Sequence, residues 1–219
     1  MEDVSVGGTR ERILRAAEVL FADRGYVGTR LHEIAHSVGV QKASLFHHFA
    51  SKEDLYREVL KYGYYETKLT IQGALDGAAP PLQKVRSLVE AYVDMVVAHP
   101  ERTKMLVRQS LGDAPPGPGA DEAQRVLGLV VEFLSEWRLA TGSPPVDVHA
   151  VIVGVIGMVA FFFTSAPVLA PDWFSDPLNV DNVERVKRHV TSVVHNCLAA
   201  GLEAPLRAPT TAGAEVAMA

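Results

Sequence analysis

The apolar positions of this chain recur with a helical period almost from end to end. Ile13, Ala16, Ala17, Leu20 and Phe21 stand at i, i+3, i+4, i+7 and i+8, a single stripe along a helix of about four turns. Thr9 is placed to cap its start and Gly25 to mark its end. Residues 31–38 read as a second, short helix stopped at Gly39, and residues 42–49 as a third. Ser51, Lys52, Glu53 and Asp54 then form a capping box that opens a fourth helix, with Leu55, Val59 and Tyr62 on its buried side.

Proline- and glycine-rich breaks follow at 76–81, 112–119 and 142–145, with a longer loop expected at 167–179. Between them lie helical stretches at about 82–98, 101–111, 120–141, 146–165 and 180–202. No alternating pattern bounded by hairpin turns appears, so the fold class is all-α. The organisation expected is an N-terminal domain over 1–55, a C-terminal helical domain over 56–202, and an Ala/Pro/Thr-rich tail over 203–219 without stable structure.

Residues 31–50 meet the geometric needs of a helix-turn-helix. Two short helices crossing steeply need a small residue where they touch, and Ala35 fits. The turn needs a residue tolerant of positive φ, which Gly39 supplies. Ile34, Val38, Val40 and Leu45 then point inward, leaving the third helix with a polar outer face of Gln41, Lys42, Ser44 and His47.

Composition narrows the possibilities. With 48% hydrophobic and 21% charged residues over 219 positions, the chain has the make-up of a soluble globular protein rather than a disordered one. The lone thiol, Cys197, suits a reducing cytoplasm, and it falls in phase with Val183, Val186, Val190, Val193, Val194 and Leu198 as a core position. The N-terminus has no basic and apolar stretch of the kind that directs secretion, so a cytoplasmic location is expected. A net charge of −5 excludes a uniformly basic coat. Any basic patch is local: residues 1–60 hold eight Lys/Arg against nine Asp/Glu. Arg30, Lys42 and Lys52 are among its basic residues, and acids such as Glu18 and Asp23 are expected at the surface facing away from them.

The stretches 9–14, 20–26, 39–49 and 51–55 together closely resemble the N-terminal domain of the TetR family of transcriptional regulators, over about residues 9–60. The resemblance implies a homodimeric, ligand-responsive DNA-binding regulator, a repressor that binds a palindromic operator and leaves it on binding a small effector. It makes 42–48 the recognition helix. Lys42 would approach phosphates or a guanine edge, Gln41 and Ser44 base edges, and His47 a phosphate or base. Thr29 and Arg30 would clamp the backbone with main-chain N–H groups and a guanidinium, and Lys52 would anchor a further phosphate. Three residues depart from the family pattern. Gln41 stands where Ser is usual, Ala43 replaces the common Gly, and Phe46 replaces Tyr and so lacks a phosphate-bonding hydroxyl.

For the effector, Tyr92, Met95, His99, Met105, Phe133, Trp137, Met158, Phe161 and Phe162 are the large adaptable side chains expected around an apolar pocket, with His99 or Tyr92 as its orienting polar group. For the dimer, the expected surface is a four-helix bundle of 146–165 and 180–202 from each chain, with Gly154 and Gly157 allowing close approach.

Two other motifs point elsewhere. His32, Glu33 and His36 spell H-E-x-x-H, the pattern of a zinc hydrolase, but on a helix of barely two turns whose Ile34 and Ala35 are needed for packing. Residues 150–171 carry no formal charge, which suffices by length for a membrane anchor. Pro167 is expected to break that run, and Asp147 and Asp172 flank it where basic residues would be required. No phosphate loop, nucleophile elbow or Cys/His cluster occurs, so no cofactor and no metal site is implied.

Overall fold

The computed structural model describes residues 8–114, 119–172 and 176–200. The expected tail at 203–219 lies outside them. Among the described residues there are nine helices and no strand: α1 (Thr9–Gly28), α2 (Leu31–Ser37), α3 (Lys42–Phe46), α4 (Lys52–Leu75), α5 (Pro81–Ala98), α6 (Pro100–Ser110), α7 (Ala120–Thr141), α8 (Val148–Leu169) and α9 (Val180–Ala200).

The helices sort into two apolar cores. The first gathers Ile13, Leu14, Ala17 and Phe21 of α1 around Ile34 of α2, Leu45 of α3 and Leu55, Tyr56 and Val59 of α4. Phe21 meets Tyr56 edge-on at 5.0 Å, and Tyr26 closes on the same ring at 5.2 Å. Met105 of α6 also enters this core, so the C-terminal half reaches into the N-terminal one. The second core joins Val85, Val89, Val93 and Val96 of α5 with Leu134 and Trp137 of α7, Val151, Ile152 and Val159 of α8, and the apolar stripe of α9. Helix α4 runs unbroken through residue 55 and continues well past the first core to Leu75.

Local chemistry explains the element ends. Ser51 caps α4 by accepting the Asp54 amide at 3.0 Å, while Asp54 accepts the Ala50 amide at 2.9 Å. Thr9 is not the cap of α1. It is the first helical residue, and Gly8 precedes it without a side chain to offer. Gly25 does end the regular part of α1, at φ +72°.

Two expectations need correction. Helix α8 continues past residue 167 to Leu169. A proline in the last turn costs one amide bond, a small loss beside the burial of Val151, Ile152, Val159 and Ala160 earlier in the helix. The stripe of α9 does not face outward either. Val183, Val186, Val190, Val194 and Leu198 are buried against α5 and α8 of their own chain. An unpartnered apolar surface lies on α8, where Val153 is 63% and Phe161 61% exposed and Gly154 and Gly157 stand between them in the open. This helix is long and apolar enough to cross a membrane by length and composition.

Two neighbouring residues of α3 separate packing from surface. Leu45 is buried and Phe46 is 49% exposed. Leu45→Ala is expected to lower stability by about 2–5 kcal/mol and Phe46→Ala to leave it within about 0.5 kcal/mol, measured by denaturant unfolding.

Candidate nucleic-acid interface

The turn between α2 and α3 is closed by two backbone bonds, Gly39 N–H to the His36 carbonyl at 3.1 Å and Val40 N–H to the Ala35 carbonyl at 3.0 Å, with Gly39 at φ +73°. Ile34, Val38 and Leu45 are buried beneath it and Val40 is half-buried. Helix α3 therefore rests on the first core by one side and is open on the other. Gln41, Lys42, Ala43, Phe46 and His47 are exposed and Ser44 is half-buried.

Helix α3 is shorter than the expected 42–48. It closes after Phe46 and runs on as a turn, in which the His47 amide bonds Ser44 and the amides of His48 and Phe49 both bond Leu45. Gln41 precedes the helix without capping it by its side chain, so its amide is free for an outside partner. The Lys42 ammonium lies 5.9 Å from the centre of the Phe46 ring. Phe46 thus props the lysine outward instead of entering the core.

Thr29 is misassigned by the sequence. It is buried, its hydroxyl donates to the carbonyls of Gly25 at 2.7 Å and Leu20 at 3.0 Å, and its amide donates to Gly25. It ties down the end of α1 and has no N–H left for a phosphate. The Arg30 amide is likewise taken, by Glu33 Oε2 at 3.0 Å, while its side chain is exposed. Lys52 sits 4.5 Å over the Tyr26 ring with its ammonium 3.4 Å from the Val27 carbonyl, and burial lowers its pKa. It joins the start of α4 to the end of α1.

The H-E-x-x-H stretch is also accounted for. Glu33 accepts from Arg24 at 2.5 Å as well as from the Arg30 amide, and the latter bond leads in holding its carboxyl below the usual glutamate range. His32 and His36 are exposed, and no trio of metal-ligating side chains occurs among the described residues.

Behind this face lies a charged junction that periodicity did not reveal. Glu18, expected to be a surface acid, is only 4% exposed. It accepts from Arg102 Nε of α6 at 2.9 Å, and Arg102 Nη2 is bonded to Glu66 of α4. Burial raises the Glu18 pKa against the pull of Arg102. A second tie lies further along α6. Arg108 donates to the carbonyls of Ala22 at 2.9 Å and Asp23 at 2.7 Å, capping the end of α1, and pairs with Asp113 at 3.1 Å. The sequence did carry one signal: Glu18 lies four residues after Leu14 and three before Phe21, on the buried stripe itself.

The interior of the C-terminal half holds two adjoining chambers of about 200 and 130 Å³, which share Thr67, Tyr92, Val126, Leu127 and Ile156 as walls. Of the residues expected around an effector, Tyr92, Met95 and Met105 line them. His99 instead sits at the α5–α6 corner, 3.6 Å from Glu101. Phe133 and Trp137 line neither chamber and pack in the second core, because α7 presents Val126, Leu127, Val130 and Leu134 to the cavities. Met158, Phe161 and Phe162 border an open groove between α8 and α9.

Residues 13–59 match the sequence model of bacterial regulatory proteins of the tetR family. The HTH-type transcriptional repressor KstR2 of Mycolicibacterium smegmatis is 38% identical over 93 residues, covering 40% of this chain and 42% of that protein. The chain thus spans less than half the length of the curated relatives it matches. Among solved structures, a tetR family transcription regulator from Shewanella sp. PV-4 aligns over 88% of this chain and 99% of its own, with a TM-score of 0.68 and 21% identity. AibR, in complex with isovaleryl coenzyme A and operator DNA, aligns over 84% and 96%, with a TM-score of 0.65 and 22% identity. At these identities the likeness concerns the fold.

Burial pushes the phenols of Tyr56 and Tyr92 up to about 12. Both exceed the unfolded value of about 10, so these groups contribute stability that is complete below about pH 10 and lost as pH rises through about 12. Alkaline spectrophotometric titration is expected to show a late class of tyrosines, smaller by one in Tyr92→Phe. Ionisation of every tyrosine near pH 10 in the folded protein would contradict this.

Proposed function

We propose that the chain, whose residues 13–59 match the tetR family model, is a cytoplasmic transcriptional repressor of that family that binds a palindromic operator as a homodimer. The observation that carries this reading is the face of α3. A helix of about two turns, counting its trailing turn, is locked by Ile34, Val38 and Leu45 and presents Gln41, Lys42, Ser44 and His47 away from the core. Ala43 and Phe46 complete that surface, and the side chains of Arg30 and Lys52 flank it for phosphate contact. A surface this small reads too few base pairs alone, which calls for two copies across a two-fold site.

The second copy docks on α8. Its bare stripe of Val153, Gly154, Gly157 and Phe161 lets a matching helix come close, and the polar outer side of α9, with Arg188 and His189 beside Phe161, rims the contact. In this arrangement residues 1–55 read DNA, and residues 56–202 bind the effector and pair the chains. The effector is small and apolar and enters the chambers around Tyr92, whose hydroxyl makes no hydrogen bond to any described residue and is placed to orient it. Catalysis is not part of this reading, since Glu33 already serves two hydrogen bonds at the start of α2.

The test uses purified protein and its own promoter DNA. Affinity is expected to fall steeply with salt, and Lys42→Ala to weaken it by about 1–3 kcal/mol. Gln41→Ala and Ser44→Ala change sequence preference more than affinity. Sedimentation should show a dimer at micromolar concentration, and Phe161→Glu a folded monomer with much weaker operator binding. No preference for the promoter over random DNA at moderate salt would sink the assignment.

A further inference from the structure

The larger chamber has a mainly apolar wall, and its charged groups are Arg102 and Glu18. Gly63 brings them there. A Cβ at that position would lie 3.6 Å from Arg102 Nε and 3.8 Å from Glu18 Oε1, so α4 presents bare backbone where the ion pair passes. Arg102 is 13% exposed, and its fork is only partly used. Nε serves Glu18 and Nη2 serves Glu66, while Nη1 is engaged by no described residue. An apolar chamber by itself rejects an anion, whereas one with a partly used, desolvated guanidinium in its wall selects for one.

The two acids around Arg102 are not equal. Burial alone would raise the Glu66 pKa, but bonds from Arg102 and Tyr62 and the charge of Arg15 bring it below the usual range. Glu18 relies on Arg102 for its cation and is held high by its burial. A third carboxylate arriving at the guanidinium therefore displaces Glu18 first.

We propose that this chamber takes an amphipathic carboxylic acid, its apolar body among Val59, Leu60, Met95 and Val126 and its carboxylate on Arg102 in competition with Glu18, so that binding loosens α1 from α6. The inference rests on the reading of the chain as an effector-released DNA-binding protein. It adds the chemical class of the effector and the bond through which it acts. The coupling follows from the position of Glu18. It lies on the helix that carries the first core, and an acid bound at Arg102 favours the state in which that helix is no longer held.

The experiment is calorimetric titration of the full-length protein with the straight-chain acids from hexanoate to dodecanoate, each beside the alcohol of the same length. The wild type is expected to bind at least one acid about tenfold or more tightly than its alcohol, as a charge-assisted contact implies. Arg102→Gln should lose that preference while still binding the alcohol, and Arg102→Lys should keep part of it. Glu18→Gln, which lacks the competing charge, should bind the acid several-fold more tightly than the wild type. Its affinity for promoter DNA should no longer respond to the acid, while that of the wild type falls. No binding across the series, equal affinity for acid and alcohol, a preference that survives Arg102→Gln, or weaker acid binding by Glu18→Gln would each overturn the proposal. The calorimetry needs no DNA. A protein that prefers the acid yet shows no promoter preference would refute the regulatory reading and leave the ligand assignment standing.

Discussion

The guanidinium of Arg102 lies between carboxylates from Glu18 on α1 and Glu66 on α4, at the place where the two cores meet. Apolar packing alone would hold α1 near α6 but would tolerate small slides between them. A buried ion pair behaves differently. Its net contribution to stability is modest, because desolvation offsets attraction, yet misalignment leaves a charge without its partner and is costly. The pair therefore fixes position more than it adds strength. Arg108 adds a second tie about 1.7 turns later, where it caps the end of α1 through two carbonyls and is itself held by Asp113. Between these two ties the N-terminal unit is held against α6 in a single register.

The fold was legible because its signals are local. A helical period, proline and glycine breaks, and a Ser51–Asp54 cap depend on neighbours in sequence, and the helices between the breaks follow the expected bounds to within a few residues, α8 aside. The turn at Gly39 was legible for the same reason, since only its own backbone conformation was at stake. The junction was not, because Glu18 and Arg102 are 84 residues apart and nothing near either one names the other. Glu18 looked like a surface acid, although its place on the apolar stripe of α1 was an anomaly that burial now explains. The α9 stripe failed in the opposite sense: periodicity shows that a face is buried but not by what, and α5 of the same chain covers it. Thr29 shows a third kind of limit. A hydroxyl at the start of a helix suits a phosphate or a carbonyl equally, and here the carbonyls of Leu20 and Gly25 are nearer.

The same division explains which of the residues expected around an effector line the chambers. Tyr92, Met95 and Met105 lie on α5 and α6, which leave a gap against α4. Phe133 and Trp137 are as large and adaptable, but α7 turns them into a filled core. Side-chain type sets what a position is able to contact, and helix rotation sets what it does contact. Rotation follows from the full set of packed neighbours.

In the proposed dimer on α8 the junction has a consequence beyond its own contacts. In that arrangement two recognition helices on one duplex would sit about 34–36 Å apart to enter successive major grooves, each joined to the C-terminal half through contacts that include α1 with α6 and α4 with α5 and α7. Helix α8 belongs to the second core and α3 to the first, so in the proposed dimer the distance between the two copies of α3 depends on the joint between the cores, which the Arg102 cluster and the continuous helix α4 both bridge. A small rotation at that cluster is multiplied by the length of the N-terminal unit before it reaches α3, and it acts on both chains at once. Under that proposal the contacts of α3 with DNA need not be touched for binding to weaken, because a change in the angle at which α1 meets α6 moves both copies of α3. A pair that is strict in geometry but modest in net energy suits such a joint, since it holds one angle firmly and, in the proposed mechanism, gives way to a competing carboxylate.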